Sequence, residues 1–152
     1  MYSPPRPKFN PPGKILIEIH VLLIDDDVDD CELFMIATED LPFKVHCTSV
    51  LGCMEGIKYL NNTSPHPDYI FLDLNMPRID GRECLSMLKS SIHTKEIPVV
   101  IFSTSTEHID QVETLSLGAC EFISKPSKIS ELTNTLENFF TKNLKQHSTN
   151  EK

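Results

Sequence analysis

The segment Asp68 to Gly81 limits the fold more than any other part of the chain. Tyr69, Ile70, Phe71 and Leu72 are apolar without alternation and run directly into Asp73. A strand with one wet face alternates. A strand apolar on both faces must be covered on both, as in a parallel sheet between helix layers. Open sheets of that kind place their chemistry at the carboxyl edge, where Asp73 would sit. Pro77 then breaks regular structure, and Gly81 supplies a turn or a helix start. Taken alone, Asp73 reads as a cap for the following helix. The rest of the chain overturns that reading.

Similar punctuation recurs along the sequence. His20 to Ile24 is a strand ending in Asp25, and Ile15 to Ile19 either extend it backwards or form a separate edge segment. Leu33, Phe34, Ala37 and Leu41 recur at helical spacing, which predicts a helix over Asp29 to Asp40, stopped by Pro42. Lys44 to Val50 is a second strand, Cys53 to Asn61 a short helix, Asn62 to Pro67 a loop and Asp68 to Asp73 the third strand. A helix over Gly81 to Ser91 turns Cys84, Leu85 and Leu88 inward. Ile97 to Phe102 is the fourth strand. Glu107 to Leu117 is a helix with Ile109, Val112 and Leu115 on one face, and Gly118 is a suitable stop. Ala119 to Ile123 is the fifth strand. Ser127 caps a last helix over Lys128 to Leu144, whose apolar face is Ile129, Leu132, Leu136, Phe139 and Phe140. Five strands alternating with five helices predict an α/β fold: a doubly wound, five-stranded parallel sheet with helices on both faces.

The 152 residues suffice for one domain with a full core. We expect a Pro-rich disordered arm over residues 1–13, which hold five prolines, a globular domain over 14–144 and a polar tail over 145–152. The net charge of −8 argues against a nucleic-acid surface, which needs basic patches. The longest nearly apolar run, Ile15 to Ile24, contains Glu18 and His20 and is too short to span a membrane. The five cysteines include no C-x-x-C pair, and most lie in apolar segments as small core residues, which fits a reducing cytoplasm.

Right-handed crossovers bring all strand ends to one edge. That edge collects Asp25-Asp26-Asp27, Asp73, Ser103-Thr104 and Lys125-Pro126. Two carboxylates about 4 Å apart repel by roughly 4 kcal/mol at an effective dielectric of about 20. Mg²⁺ offsets such repulsion with oxygen ligands from one or two carboxylates, and Lys125 adds positive charge. An Asp held there can act as nucleophile toward a phosphoryl group and form an aspartyl-phosphate. The Ser103 hydroxyl is placed to bond a phosphoryl oxygen. The spacing Asp25-x-Asp27-x-Asp29 imitates the start of an EF-hand loop, but Asp30 and Ile36 occupy the positions that need Gly and Glu.

From His20 to Leu144 the chain resembles the receiver domain of two-component response regulators, the CheY-like family, in its stand-alone form. Four motifs carry the resemblance: Val21-Leu22-Leu23-Ile24-Asp25-Asp26-Asp27; Phe71-Leu72-Asp73-Leu74-Asn75-Met76-Pro77 with Asp80-Gly81; Ile97-Pro98-Val99-Val100-Ile101-Phe102-Ser103; and Phe122-Ile123-Ser124-Lys125-Pro126. It implies a flavodoxin-like fold, with Asp73 as phosphoacceptor. Asp26 would ligate Mg²⁺ directly, Asp25 chiefly through water, and Asn75 by its backbone carbonyl. It also implies Ser103 as the switch hydroxyl, Lys125 as the phosphate-binding lysine and Phe122 as the switch aromatic. The acidic run is longer than the family's usual pair, which leaves the part of Asp27 open. Thr104 stands where a smaller residue is common and narrows access to the phosphate. Ser103 replaces the commoner Thr, and Phe122 lacks the hydroxyl of the frequent Tyr.

The resemblance implies a cytoplasmic signalling switch rather than a turnover enzyme. A sensor histidine kinase or phosphotransfer protein would supply the phosphoryl group, and slow self-catalysed hydrolysis would remove it. The active form would be a minor population, roughly 0.1–10%, before phosphorylation. An unknown protein target, with no nucleic acid or membrane involved, would read the face of the fourth helix, fifth strand and fifth helix, which is also a possible homodimer surface. Two other readings exist. A haloacid-dehalogenase-like phosphatase would use Asp25-x-Asp27, with Glu131 and Glu137 following its lysine inside the last helix. A pseudo-receiver would act as an interaction module without phosphorylation.

Overall fold

A computed structural model describes the backbone of residues 17–150 and the side chains of residues 17–144. Among the described residues five strands, β1 (Glu18–Ile24), β2 (Lys44–Val50), β3 (Tyr69–Leu72), β4 (Val99–Ser103) and β5 (Glu121–Ser124), alternate with five helices. These are α1 (Val28–Glu39), α2 (Cys53–Asn61), α3 (Gly81–Ser90), α4 (His108–Ser116) and α5 (Ile129–Asn150). The strands pair in parallel in the order β2-β1-β3-β4-β5, the doubly wound arrangement expected. β1 begins at Glu18, so the apolar stretch before His20 extends the first strand by two residues.

The two faces of the sheet build two cores. Val21, Leu23, Tyr69, Phe71, Val100 and Phe102 point toward α1 and α5. There Phe71 meets Phe34 edge-on at 5.1 Å and Phe139 at 5.6 Å. Such aromatic pairs add about 0.5–1.5 kcal/mol each beyond their buried area. Leu22, Ile24, Ile70, Leu72, Val99 and Ile101 point the other way, against Leu60, Cys84, Leu85 and Leu88 from α2 and α3. This double coverage explains why β3 and β4 are buried at every position.

The register positions the site. Ile24 pairs with Leu72, so Asp25 and Asp73 are the next residues on neighbouring strands. Their backbone N–H groups continue the ladders, Asp25 donating to Val50 O and Asp73 to Ile24 O. Asp80 caps α3 by accepting from the Glu83 N–H. Gly81 then packs against the end of β3. A Cβ there would lie 2.4 Å from Asp73 O and 2.6 Å from Leu74 Cα, both backbone atoms with no room to retreat. Gly81→Ala is therefore expected to destabilise the domain by about 2–3 kcal/mol. An unchanged urea midpoint would contradict that packing.

Several expectations need correction. Ala119 and Cys120 lie outside β5, because Gly118 at φ 111° ends α4 and the chain must turn before it pairs. Ile109, Val112 and Leu115 share a face of α4 as expected, and that face is turned to solvent, at 68%, 52% and 47% exposed. Helical spacing shows which residues share a face, not which way that face turns. The residue α4 buries is Thr114, whose hydroxyl donates to Asp110 O. Arg82 of α3 instead holds α4 by ion pairs to Asp110 and Glu113, and the Ser105 hydroxyl also donates to Asp110. Leu33 and Ile129 likewise face outward. α5 continues past Leu144 to Asn150, through residues that include neither Gly nor Pro. Cys53 and Cys84, read as separate small core residues, form a disulfide between α2 and α3. Their 31-residue separation gave no signal; only the packing of the two helices on one sheet face brings them together. The Pro-rich arm expected over residues 1–13 lies outside the described residues.

Candidate functional site

The carboxyl edge of the sheet holds an acidic pocket closed by one lysine. Carboxylate oxygens of Asp25, Asp26 and Asp73 lie within 4.8 Å of one another. Asp25 and Asp73 are buried by the strand ends that carry them, whereas Asp26 is exposed. The Lys125 ammonium donates to Asp25 Oδ2 at 2.7 Å, to Asp30 Oδ2 at 2.9 Å and to Asp73 Oδ1 at 3.3 Å. The same ammonium stands over the Phe102 ring, with Nζ 5.5 Å from the centroid. The other oxygen of Asp25 accepts the Asp27 N–H, which fixes the carboxylate plane.

The electrostatics follow from burial and crowding. Burial pushes the Asp73 carboxyl up to about 6, Lys125 opposes this, and Asp25 and Asp26 add to it. Asp25 is also raised, again chiefly by burial. Burial alone would lower the Lys125 ammonium, but hydrogen bonds to Asp25 and Asp30 outweigh it, and the net direction is up. One ammonium thus leaves the three carboxylates under-neutralised. Three carboxylates aimed at one point form a hard, all-oxygen donor set that fits a divalent cation of the Mg²⁺ or Mn²⁺ type.

The other candidates fall at the same edge. Ser103 ends β4 fully buried, and its hydroxyl oxygen accepts the Ser105 N–H at 3.2 Å. The Lys125 N–H donates to Ser103 O at 2.7 Å, tying the two strand ends together. Thr104 and Asn75 are exposed on the rim. Phe122 lies half-buried on β5, packed against the α2–α3 core. Asp27, left open by the sequence, is the N-cap of α1 and accepts from the Asp29 and Asp30 N–H groups. Asp30 was missed as a site residue. Its signal was the acidic run itself: once Asp27 caps the helix, Asp30 falls in the first turn, above the strand end. Glu131 is exposed on α5, and neither it nor Glu137 joins a metal-type cluster among the described residues, as the phosphatase reading would need.

Comparison with known proteins agrees with this geometry. Residues 21–137 match the response regulator receiver domain. A protein-glutamate methylesterase/protein-glutamine glutaminase of Methanococcoides burtonii is 34% identical over 119 residues, covering 76% of this chain and 33% of that protein. The chain thus spans about a third of that relative's length. The phosphorylated cyanobacterial phytochrome response regulator RcpA superposes with a TM-score of 0.73 at 30% identity, over 81% of this chain and 91% of that one. The response regulator Rcp1, solved in a Mn²⁺-bound form, gives 0.69 at 26% identity, over 79% and 90%. With its sheet order, its acidic pocket and most of its length accounted for, the chain belongs to the response regulator receiver domains, a family of phosphorelay signalling switches.

Proposed function

We propose that Asp73 receives a phosphoryl group from the phosphohistidine of a sensor histidine kinase or phosphotransfer protein, and that this charge switches a protein-binding face. The observation that carries the reading is the Lys125 ammonium joining Asp25 and Asp73 within a pocket of three carboxylates. Mg²⁺ is the ion proposed for Asp25, Asp26, Asp73 and the Asn75 carbonyl; when bound it neutralises charge on the phosphoryl oxygens. The remaining work falls to the chain. An Asp73 oxygen attacks phosphorus, the P–N bond to the donor histidine breaks, and the electron pair leaves on the imidazole. Lys125 holds a phosphoryl oxygen, and Ser103 turns its hydroxyl toward another. Thr104 narrows the approach of water and so slows self-catalysed hydrolysis.

Movement of Ser103 frees Phe122 to repack, which reshapes the face formed by α4, β5 and α5. Exposed Ile109, Val112 and Leu115 suit that face to an unidentified protein target or a second copy of the chain. Cytoplasmic location is part of the same reading; there the Cys53–Cys84 pair would be held reduced.

The direct test is incubation with acetyl phosphate and Mg²⁺ followed by intact-mass measurement. A gain of one phosphoryl group is expected, and no gain at any donor concentration sinks the proposal. The pH dependence is a second check. A proton must leave Asp73, whose carboxyl sits at about 6, before the ion binds. Apparent Mg²⁺ affinity should fall as the pH drops through about 6, by about tenfold per unit for the Asp73 proton and more steeply where Asp25, also raised, takes up a second one. Calorimetric titrations showing no fall in acid would contradict this.

A further inference from the structure

At the opposite edge of the sheet, the strand starts of β1 and β2 carry a second set of ligand-type side chains. His20 and His46 are register partners on the two strands, and their rings stack at 4.7 Å with an interplanar angle of 17°. Glu18 lies two residues before His20, on the same face of β1. One donor atom from each of the three lies within 4.8 Å of the others, and Glu18 Oε2 stands 3.6 Å from His46 Nε2. We propose that Glu18, His20 and His46 form a transition-metal site of the Zn²⁺ type, separate from the acidic pocket.

The chemistry of the donors separates the two sites. Two imidazole nitrogens and one carboxylate oxygen suit Zn²⁺, whereas the all-oxygen pocket suits Mg²⁺. Tetrahedral zinc with bonds of about 2.0–2.1 Å needs donors about 3.3 Å apart, so the Glu18–His46 pair is already close to that spacing. Small rotations of the half-exposed side chains supply the rest, since Glu18 is 50% and His46 39% exposed. Lys44 is the competing cation. Its ammonium lies 3.7 Å from Glu18 Oε1, too long for a hydrogen bond, and the side chain is 46% exposed. A metal would displace it into solvent. The Asp68 carboxylate, which accepts the His20 backbone N–H at 2.8 Å, adds negative charge beside the site.

Three protein ligands leave one tetrahedral position for water or for a donor group from a partner. The bound metal would staple edge strand β2 to β1. Along β1, His20 lies roughly 16 Å from Asp25 by strand rise, so the two ions would not compete for ligands.

The test uses the full chain without a histidine tag. Zn²⁺ is titrated calorimetrically with Mg²⁺ at saturation, on the parent and on the variants Asp26→Asn, His46→Ala and Glu18→Gln. The parent and Asp26→Asn are expected to bind one Zn²⁺ each at this site. His46→Ala should weaken binding by on the order of 10–100-fold or more, since losing a ligand costs at least what losing its orienting partner does. Glu18→Gln should weaken it less. X-ray absorption on the loaded parent should show imidazole nitrogen at about 2.0 Å. Absence of stoichiometric binding overturns the proposal, as does equal affinity in His46→Ala or a zinc shell of oxygen alone. The absorption measurement needs no variant and so stands even if a substitution unfolds the chain.

Discussion

Asp73→Asn should take up no phosphoryl group from acetyl phosphate and should also be more stable than the parent when Mg²⁺ is removed. The first effect is a complete loss, because an amide oxygen is a poor nucleophile and cannot form the acyl-phosphate. Continued labelling at that position would refute the assignment of Asp73. The second effect follows from the electrostatics. Burial holds the Asp73 carboxyl at about 6 in the folded protein, against about 3.9 in an unfolded chain. Folding therefore favours the protonated form. Below about pH 4 the group is protonated in both states and costs nothing. Between about pH 4 and 6 the penalty grows, and above about 6 it is complete, at up to about 3 kcal/mol. The amide of the variant never ionises. Its stabilising effect should be full at neutral pH, vanish in acid, and shrink when Mg²⁺ stabilises the parent. Thermal melts at pH 7.5 and pH 3.5, with and without the ion, read all three. A variant melting below the parent at neutral pH without Mg²⁺ would show that the lysine contact outweighs the crowding.

Lys125→Met carries the opposite sign. The Lys125 side chain is 8% exposed, and its ammonium faces Asp25 and Asp73, whose side chains are 0% and 8% exposed. Removing one partner of a buried ion pair costs about 3–5 kcal/mol, because the other charge is left uncompensated. Here the carboxylates can protonate, which puts the expected loss near the lower figure, about 3 kcal/mol or roughly 10 °C in Tm at neutral pH. Without the lysine, Asp25 and Asp73 rise further. The deficit should be greatest above those raised values and disappear as the pH falls through them. Mg²⁺ should restore part of the stability but not the grip on a phosphoryl oxygen. A melting point within a degree or two of the parent at pH 7.5 would mean that solvent already screens the pocket.

The buried strands were legible because a doubly covered sheet demands unbroken apolar runs, and Tyr69 to Leu72 and Val99 to Phe102 supply them. Asp25, Asp73 and Lys125 were legible because strand ends on one edge must meet. Contacts depending on the rotation of a helix about its axis were not. Asp30 reaches Lys125 because α1 starts at its Asp27 cap and presents that face inward. The Cys53–Cys84 link depends on how α2 and α3 pack, and the outward turn of Ile109 and Val112 on how α4 packs.

That outward turn leaves α4 without a buried large apolar side chain, and ion pairs from Arg82 to Asp110 and Glu113 tie it to α3. Charge pairs at a partly wet boundary weaken as ions crowd around them, whereas apolar seams do not. This helix should therefore be the part of the molecule that loosens first as ionic strength rises. Amide exchange in α4 should quicken between low and near-molar salt while β1 and β3 hold steady, and equal behaviour of the three would remove the idea. A signal written at the sheet edge would then meet, in α4, the segment with the least to give up on moving.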